Sequence, residues 1–258
     1  MFNFLVCSPE RRFCCRNSES EDIASGSEPA VVIQDERFEP EKQLGEALVE
    51  KAEVVVEGGG RYTGQWRGKA RHGLGTLVQL DGSVFTGTFV NGEAHGHGRL
   101  VTPYGTTYEG GWLSNVAHGD GVYQNGQGST YRGQFANSER NGSGRETWSD
   151  GCSYEGSFLN GLRHGWGRYM SGKGTTVYEG QFEDDKMQGQ GTYRFTDGRV
   201  YQGEWAGGQF NGEGTLEWPD HEKYTGQFRN NVRHGVGTTY RPDGSSERAT
   251  WVHGNRTT

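Results

Sequence analysis

The stretch Tyr154-Glu155-Gly156-Ser157-Phe158-Leu159-Asn160-Gly161-Leu162-Arg163-His164-Gly165-Trp166-Gly167 decides how this chain folds. A ring, a glycine and a second ring stand at 154, 156 and 158. That is a period of two, so all three share one face of a strand. Asn160-Gly161 follows, a pair suited to a two-residue hairpin turn with positive φ. Gly165-Trp166-Gly167 then leads into a return strand that ends on Tyr169. The stretch is one β-hairpin, apolar on one face and polar on the other.

The same unit recurs along the chain. Head aromatics stand at Tyr62, Phe85, Tyr108, Tyr131, Tyr154, Tyr178, Tyr201 and Tyr224, spaced by 23 residues except for 24 between Tyr154 and Tyr178. Glycine follows two positions after each head, from Gly64 to Gly226, and a second ring follows at four: Trp66, Phe89, Trp112, Phe135, Phe158, Phe182, Trp205 and Phe228. Each unit carries Gly-x-Gly, and several close on Asp-Gly, as at Asp81, Asp150, Asp197 and Asp243. Return strands place Leu77, Leu100, Tyr123, Tyr169, Tyr193 and Leu216 on the ring face. A vestigial ninth unit keeps Trp251 but has Glu247 and Ala249 for the head and its glycine, which suggests a cap over 247–258. Successive hairpins pairing edge to edge predict an all-β, elongated, twisted antiparallel array. Glycines on the ring face leave room for rings to lie over the backbone.

Composition agrees. Glycine supplies 45 of 258 residues, and the hydrophobic fraction is 31%, yet aromatics reach 12%. Glycine at this density disfavours helical bundles, and so many rings argue against a disordered chain. No run of about 18 apolar residues predicts a membrane-spanning helix. Net charge is −7, and it belongs to the first 57 residues, with 13 acids against 6 bases; the remainder holds 20 of each. A neutral body offers no general attraction to nucleic acid. Cys7, Cys14 and Cys15 crowd the N-terminal segment and Cys152 stands alone, which fits neither a disulfide framework nor a paired zinc motif. The N-terminus lacks a basic region ahead of its apolar run, so it does not read as a signal peptide, and a reducing cytoplasmic setting is expected.

The units beginning at Tyr62 and Tyr154 resemble the MORN repeat, the membrane occupation and recognition nexus, and the resemblance extends over residues 62–246. It implies stacked β-hairpins. For function it implies a scaffold at a membrane–cytoskeleton junction, a ciliary or axonemal component, or a regulatory partner of a phosphatidylinositol-phosphate kinase. His72, His95, His118, His164 and His234 match the repeat's turn histidine, whereas Asn141, Gln188 and Asn211 depart from it.

The residues themselves offer little chemistry. An amide replaces histidine as a hydrogen-bonding turn cap but not as a zinc ligand. Units roughly 10 Å apart also cannot share an ion with bonds near 2 Å. Gly167 to Lys173 falls one residue short of a phosphate-binding loop, with Gly174 where a hydroxyl should ligand magnesium. No catalytic motif stands out, and neither a cofactor nor a metal is expected. Two binding surfaces are expected instead. The sixteen head and second rings would form an aromatic groove for a helix or extended peptide of a protein partner. Arg71, Arg140, Arg163 and Arg233 would line one long edge as a basic rim, read either as a contact for anionic lipid or as a solvated edge that resists pairing.

Residues 1–18 combine Phe2, Phe4, Leu5 and Phe13 with Cys7, Cys14, Cys15 and three arginines. They read either as an acylated membrane anchor or as a terminus with incidental thiols. Phe2 excludes myristoylation, which needs glycine there. Residues 19–57 read as an acidic linker ahead of the array at 58–246. Within it, 40–53 reads as a short helix, with Leu44, Ala47, Leu48 and Val55 sharing a stripe, and Val54–Val56 as an alternative edge strand. Such a helix could occupy the groove in cis. An exposed last strand predicts a homodimer through the C-terminal edge.

Overall fold

A computed structural model describes residues 47–257. The alternation around Tyr62 appears as strand β2 (Arg61–Arg67), buried at Tyr62, Gly64 and Trp66 and exposed at Arg61, Thr63 and Arg67. Strand β3 (Ala70–Val78) returns beside it, setting Tyr62 against Leu77 and Gly64 against Gly75. The hairpin then repeats as a meander of 19 antiparallel strands in one open sheet. All regular structure among the described residues is β.

Two kinds of turn alternate. The first is a two-residue loop with both φ positive, as at Asn91 (51°) and Gly92 (92°) or Asn160 (49°) and Gly161 (81°). These are the mirror-image turns that match the right-handed twist of the flanking strands. The second is the Asp-Gly turn, in which Asp81 Oδ1 accepts the Ser83 N–H at 2.8 Å and Gly82 takes φ of 84°. The register also slips inside each hairpin, in the first between Gly64 and Trp66, so that Trp66 faces Arg71. A bulge of this kind kinks the pair locally.

The ring face is closed by its own side chains. Each head tyrosine lies over the paired glycines and donates its hydroxyl to the carbonyl three residues on; Tyr131 reaches Gln134 at 3.0 Å and Tyr201 reaches Glu204 at 2.8 Å. A Cβ added to Gly144 would sit 2.3 Å from the Tyr131 hydroxyl. Edge-to-face contacts link the rows: Tyr131 meets Phe135 of its own unit at 5.1 Å and Phe158 of the next at 5.0 Å. Head rings are at most 1% exposed and second rings at most 7%. The expected aromatic groove is therefore corrected. From Tyr62 and Trp66 to Tyr224 and Phe228, these rings are the core, because the kinked hairpins bring neighbouring rows into contact and leave the ring surfaces no access to a partner.

The N-terminal end differs from expectation too. Strand β1 (Val49–Val55) pairs antiparallel with β2, and Val54 and Val56 pack on the core. A helix over 40–53 does not form at its described C-terminal part, since an unpaired edge of β2 offers backbone partners to a β-branched segment. The edge strand is longer than Val54–Val56, and occupation of the groove in cis by this segment is ruled out. Residues 1–46, including Cys7, Cys14 and Cys15, lie outside the described residues. At the other end, β18 (Ser246–Val252) pairs with β17 (Val232–Tyr240), Ala249 meeting Gly237, and β19 (Asn255–Arg256) folds back on β18. Glu247, at the place of a head ring, binds Arg241 and Arg256 instead.

Two substitutions test the packing. Gly144→Ala drives a methyl into the Tyr131 ring and should cost about 2–3 kcal/mol, typical of overpacking a core. Tyr131→Phe removes one hydrogen bond and should cost about 1 kcal/mol, since Phe85 already serves as a head. Urea denaturation of the full chain reads both; equal costs would contradict ring-over-glycine packing.

Candidate functional site

The four arginines expected on a rim point inward. Arg71, Arg140 and Arg163 lie against the head ring of their own unit and the second ring of the next, with Arg71 5.4 Å from Phe89 and Arg140 5.2 Å from Phe158. Arg233 stands 3.6 Å from Trp251, which closes the ninth unit. The guanidinium groups of Arg71, Arg140 and Arg163 also lock the turn of the following unit. Arg71 donates to the Gly92 carbonyl and Arg140 to that of Gly161, both at 2.5 Å. Arg163, 3% exposed, pairs with Asp185 at 2.9 Å. Burial pulls the Arg71 and Arg233 pKa values below the ordinary guanidinium range, an effect partly opposed by Tyr62 and Tyr224. A lipid-facing basic rim is thereby corrected: ring faces, turn carbonyls and the carboxylates of Glu146 and Asp185 take up these charges.

Units without arginine at this place use another lock. Ala94 gives its N–H to Asn115 Oδ1 at 2.8 Å, and Phe210 gives its own to Asn231 Oδ1 at 2.8 Å. The neighbouring histidine position caps turns as well: His72 Nδ1 faces the Asn91 N–H at 3.4 Å, and Gln188 Oε1 accepts the Gly207 N–H at 2.9 Å. Among the described residues no cluster of three ligating side chains could hold a metal ion. Lys173 of the near phosphate-loop motif lies in the turn after strand β11 (Leu162–Met170), while Gly167 lies under Tyr154.

With the ring face filled, side chains free to meet other molecules lie on the outer face. Its rows are mostly small and polar. Thr76 and Thr86 hydroxyls meet at 3.1 Å near one end, and Thr215 and Thr225 at 3.0 Å near the other. Next to the kinks, Gln65, Gln134 and Gln181 fold over the bulge and accept the N–H groups of Leu74, Ser143 and Gln190 at 2.8–2.9 Å.

The middle of this face departs from the rule across β8 (Thr130–Ala136), β9 (Glu139–Thr147), β10 (Ser153–Leu159), β11 and β12 (Thr176–Glu183). There the place of Gln134 and Gln181 is held by Ser157, as Thr88 and Gly111 hold it in earlier units. A depression of about 580 Å³ lies over it. Its floor is Ser143 and Ser157 over Gly144, Gly156 and Gly167, and its walls include Trp166, Arg132, Arg145, Arg168, Glu155 and Glu179. Trp166, between the two glycines of its unit, is 55% exposed. Arg168 and Glu179 stand 4.0 Å apart, both about half exposed, a pair of small energetic weight. Arg132 and Arg145 are direct cross-strand partners, and neither makes an ion pair within 4.0 Å among the described residues.

Sequence reasoning named Trp166 only as part of the repeat and gave it no role. Its signal was the x of Gly-x-Gly, an outward position filled elsewhere by Leu74, His97, Asp120, Ser143, Gln190, Glu213 and Val236. A large indole among these is the departure.

The MORN repeat family model matches residues 62–84, 85–107, 108–130, 131–153, 154–176, 178–198, 201–223 and 224–246. Among solved structures, the chain is similar to the TCP10 domain of Danio rerio CPAP, at 15% identity over 77% of this chain and 94% of that one, with a TM-score of 0.43. It is also similar to that domain in complex with a peptide of Danio rerio STIL, at 12% identity over 80% and 97%, with a TM-score of 0.26.

The locks between units make a prediction. Asp185→Ala strips the partner from a buried guanidinium and should cost about 3 kcal/mol. Arg163→Met combined with Asp185→Asn recreates the apolar-with-amide pairing of Phe210 and Asn231 and should lie within about 1 kcal/mol of the parent. Thermal denaturation checks the order; a double variant as unstable as Asp185→Ala would contradict it.

Proposed function

Because the chain belongs to the MORN repeat family, we propose that it is a non-catalytic scaffold that holds a protein partner on the outer face of its sheet. One observation carries this reading: the ring face is consumed by the core, while Trp166 stands exposed over a depression walled by three arginines and two glutamates. Trp and Arg are the residues on which binding energy at protein interfaces concentrates. An open sheet of 19 strands, about 4.8 Å per strand, supplies a long surface on which one protein can be held relative to another. A phosphatidylinositol-phosphate kinase and a cytoskeletal protein are the partner classes that the family resemblance adds.

The scaffold reading extends to the N-terminal segment. Acylation of Cys7, Cys14 and Cys15 beside Arg11, Arg12 and Arg16 would hold the array at the cytoplasmic face of a membrane, since two acyl chains, or one with basic residues, suffice for stable attachment.

Affinity capture on the full chain, read by quantitative mass spectrometry, tests the site. Trp166→Ala should reduce recovery of the principal partner at least tenfold at unchanged melting temperature, while Leu74→Ala, also exposed but in the first unit, should not. Equal recovery by both variants would sink the outer-face site. Fractionation tests the anchor: replacing Cys7, Cys14 and Cys15 with serine should move the protein from the membrane pellet to the supernatant, and unchanged partitioning would remove that claim.

A further inference from the structure

From the depression around Trp166, we infer the chemistry of the partner: an extended acidic segment of another protein that places a carboxylate three or four residues from an apolar side chain. This inference rests on the outer-face site proposed above and specifies what it takes.

Charge is the first argument. Arg132 and Arg145 face each other directly across β8 and β9. Like charges in that position destabilise a sheet, and nothing in the fold requires them. The outer row is occupied by threonines at the corresponding places near both ends, where the hydroxyls bond to each other. Arg99 on the same row pairs with Glu109 at 3.6 Å, whereas Glu155, the cross-strand neighbour of Arg145 on β10, makes no ion pair with it within 4.0 Å. Arg132 and Arg145 have no such ion-pair partner within 4.0 Å among the described residues. A carboxylate set between them would relieve the repulsion and gain charge-assisted hydrogen bonds from two guanidinium groups.

Shape and spacing supply the rest. Ser143 and Ser157 leave backbone glycines as the floor, low enough for an extended chain to lie between the walls. Trp166 offers an apolar face at one end of the depression. It lies two strands and one outward row from Arg145. At about 4.8 Å between strands and 3.4 Å per residue along them, the separation is roughly 12 Å, and an extended peptide covers that in three or four residues. The surface thus reads two features at a fixed distance, a carboxylate over the arginine pair and an apolar or aromatic side chain against the indole.

Fluorescence anisotropy with the full chain tests this. The probe is a labelled Gly/Ser-rich peptide carrying two adjacent glutamates and, four residues on, a phenylalanine. Binding should weaken at least tenfold with Arg132→Glu/Arg145→Glu, with Trp166→Ala, and when lysines replace the peptide's glutamates. It should also weaken as salt rises from 50 to 300 mM. Equal binding of the glutamate and lysine peptides, or full binding by the arginine variant, would overturn the inference. If Trp166→Ala abolishes partner capture while Arg132→Glu/Arg145→Glu retains it, the scaffold site stands and its acidic specificity falls. Neutralising the nine acids of residues 19–46 in the full chain should leave peptide affinity unchanged. A tenfold gain would mean that the chain's own acidic segment is the occupant and would overturn assignment to another protein.

Discussion

Everything in this molecule depends on a tyrosine lying flat across two glycines. The head ring of each unit covers the glycine pair of its own hairpin, and every head but Phe85 fixes a hydroxyl on the carbonyl three residues ahead. Neither glycine tolerates a Cβ there, so the three residues determine one another. Burial makes the arrangement harder to disturb, because it disfavours the charged phenolate and raises the hydroxyl pKa of Tyr154 and Tyr178 well above the usual value. With the ring held, the second ring of the next unit has one place to go, edge-on against it. Each unit thereby completes the pocket of its neighbour. The sheet propagates through nearest-neighbour contacts, the logic of repeat proteins generally.

This explains how a chain so poor in aliphatic side chains holds a core. Rings bury large areas each and gain from edge-to-face geometry, and glycines let them approach the backbone. It also explains why the two ends need special treatment. At the start, β1 covers the edge of the first hairpin with a plain strand. At the finish, Glu247 replaces the head ring and binds Arg241 and Arg256, while Arg233 covers Trp251. The repeat stops where a charge network can stand in for the missing neighbour.

The hairpins, their turns and the ring face were legible because alternation and turn residues encode them directly. The segment before the array was not: Leu44, Ala47 and Leu48 suggest a helical stripe, and only the unpaired edge of β2 reveals why Val49–Val55 becomes a strand. The arginines were legible in principle. Residues 71, 73, 75 and 77 alternate on one strand, so Arg71 shares the face of Leu77. Expecting charge outside hid this, because the compensating ring faces and the Gly92 carbonyl come from a unit 21 residues later. The depression at Trp166 was illegible for another reason. It combines side chains from five strands, and the role of glutamines in covering the bulge appears only once the bulge is seen.

Those two lessons divide the molecule by constraint. On the ring face every position answers to a neighbour one unit away, so a change there propagates through the array. On the outer face Gln65, Gln134 and Gln181 cap backbone N–H groups at the bulges, while other side chains meet cross-strand neighbours alone, as the threonine pairs do. Those can change at small cost to the fold, which makes departures from the common pattern informative. Two opposed arginines in the charged middle of the row, a short Ser157 beside the bulge and an exposed indole all fall in the same five strands. None of them helps the sheet, and one opposes it. Their coincidence is the ground on which the proposed outer-face site rests, and the fold beneath keeps the arginines and the indole at a fixed separation.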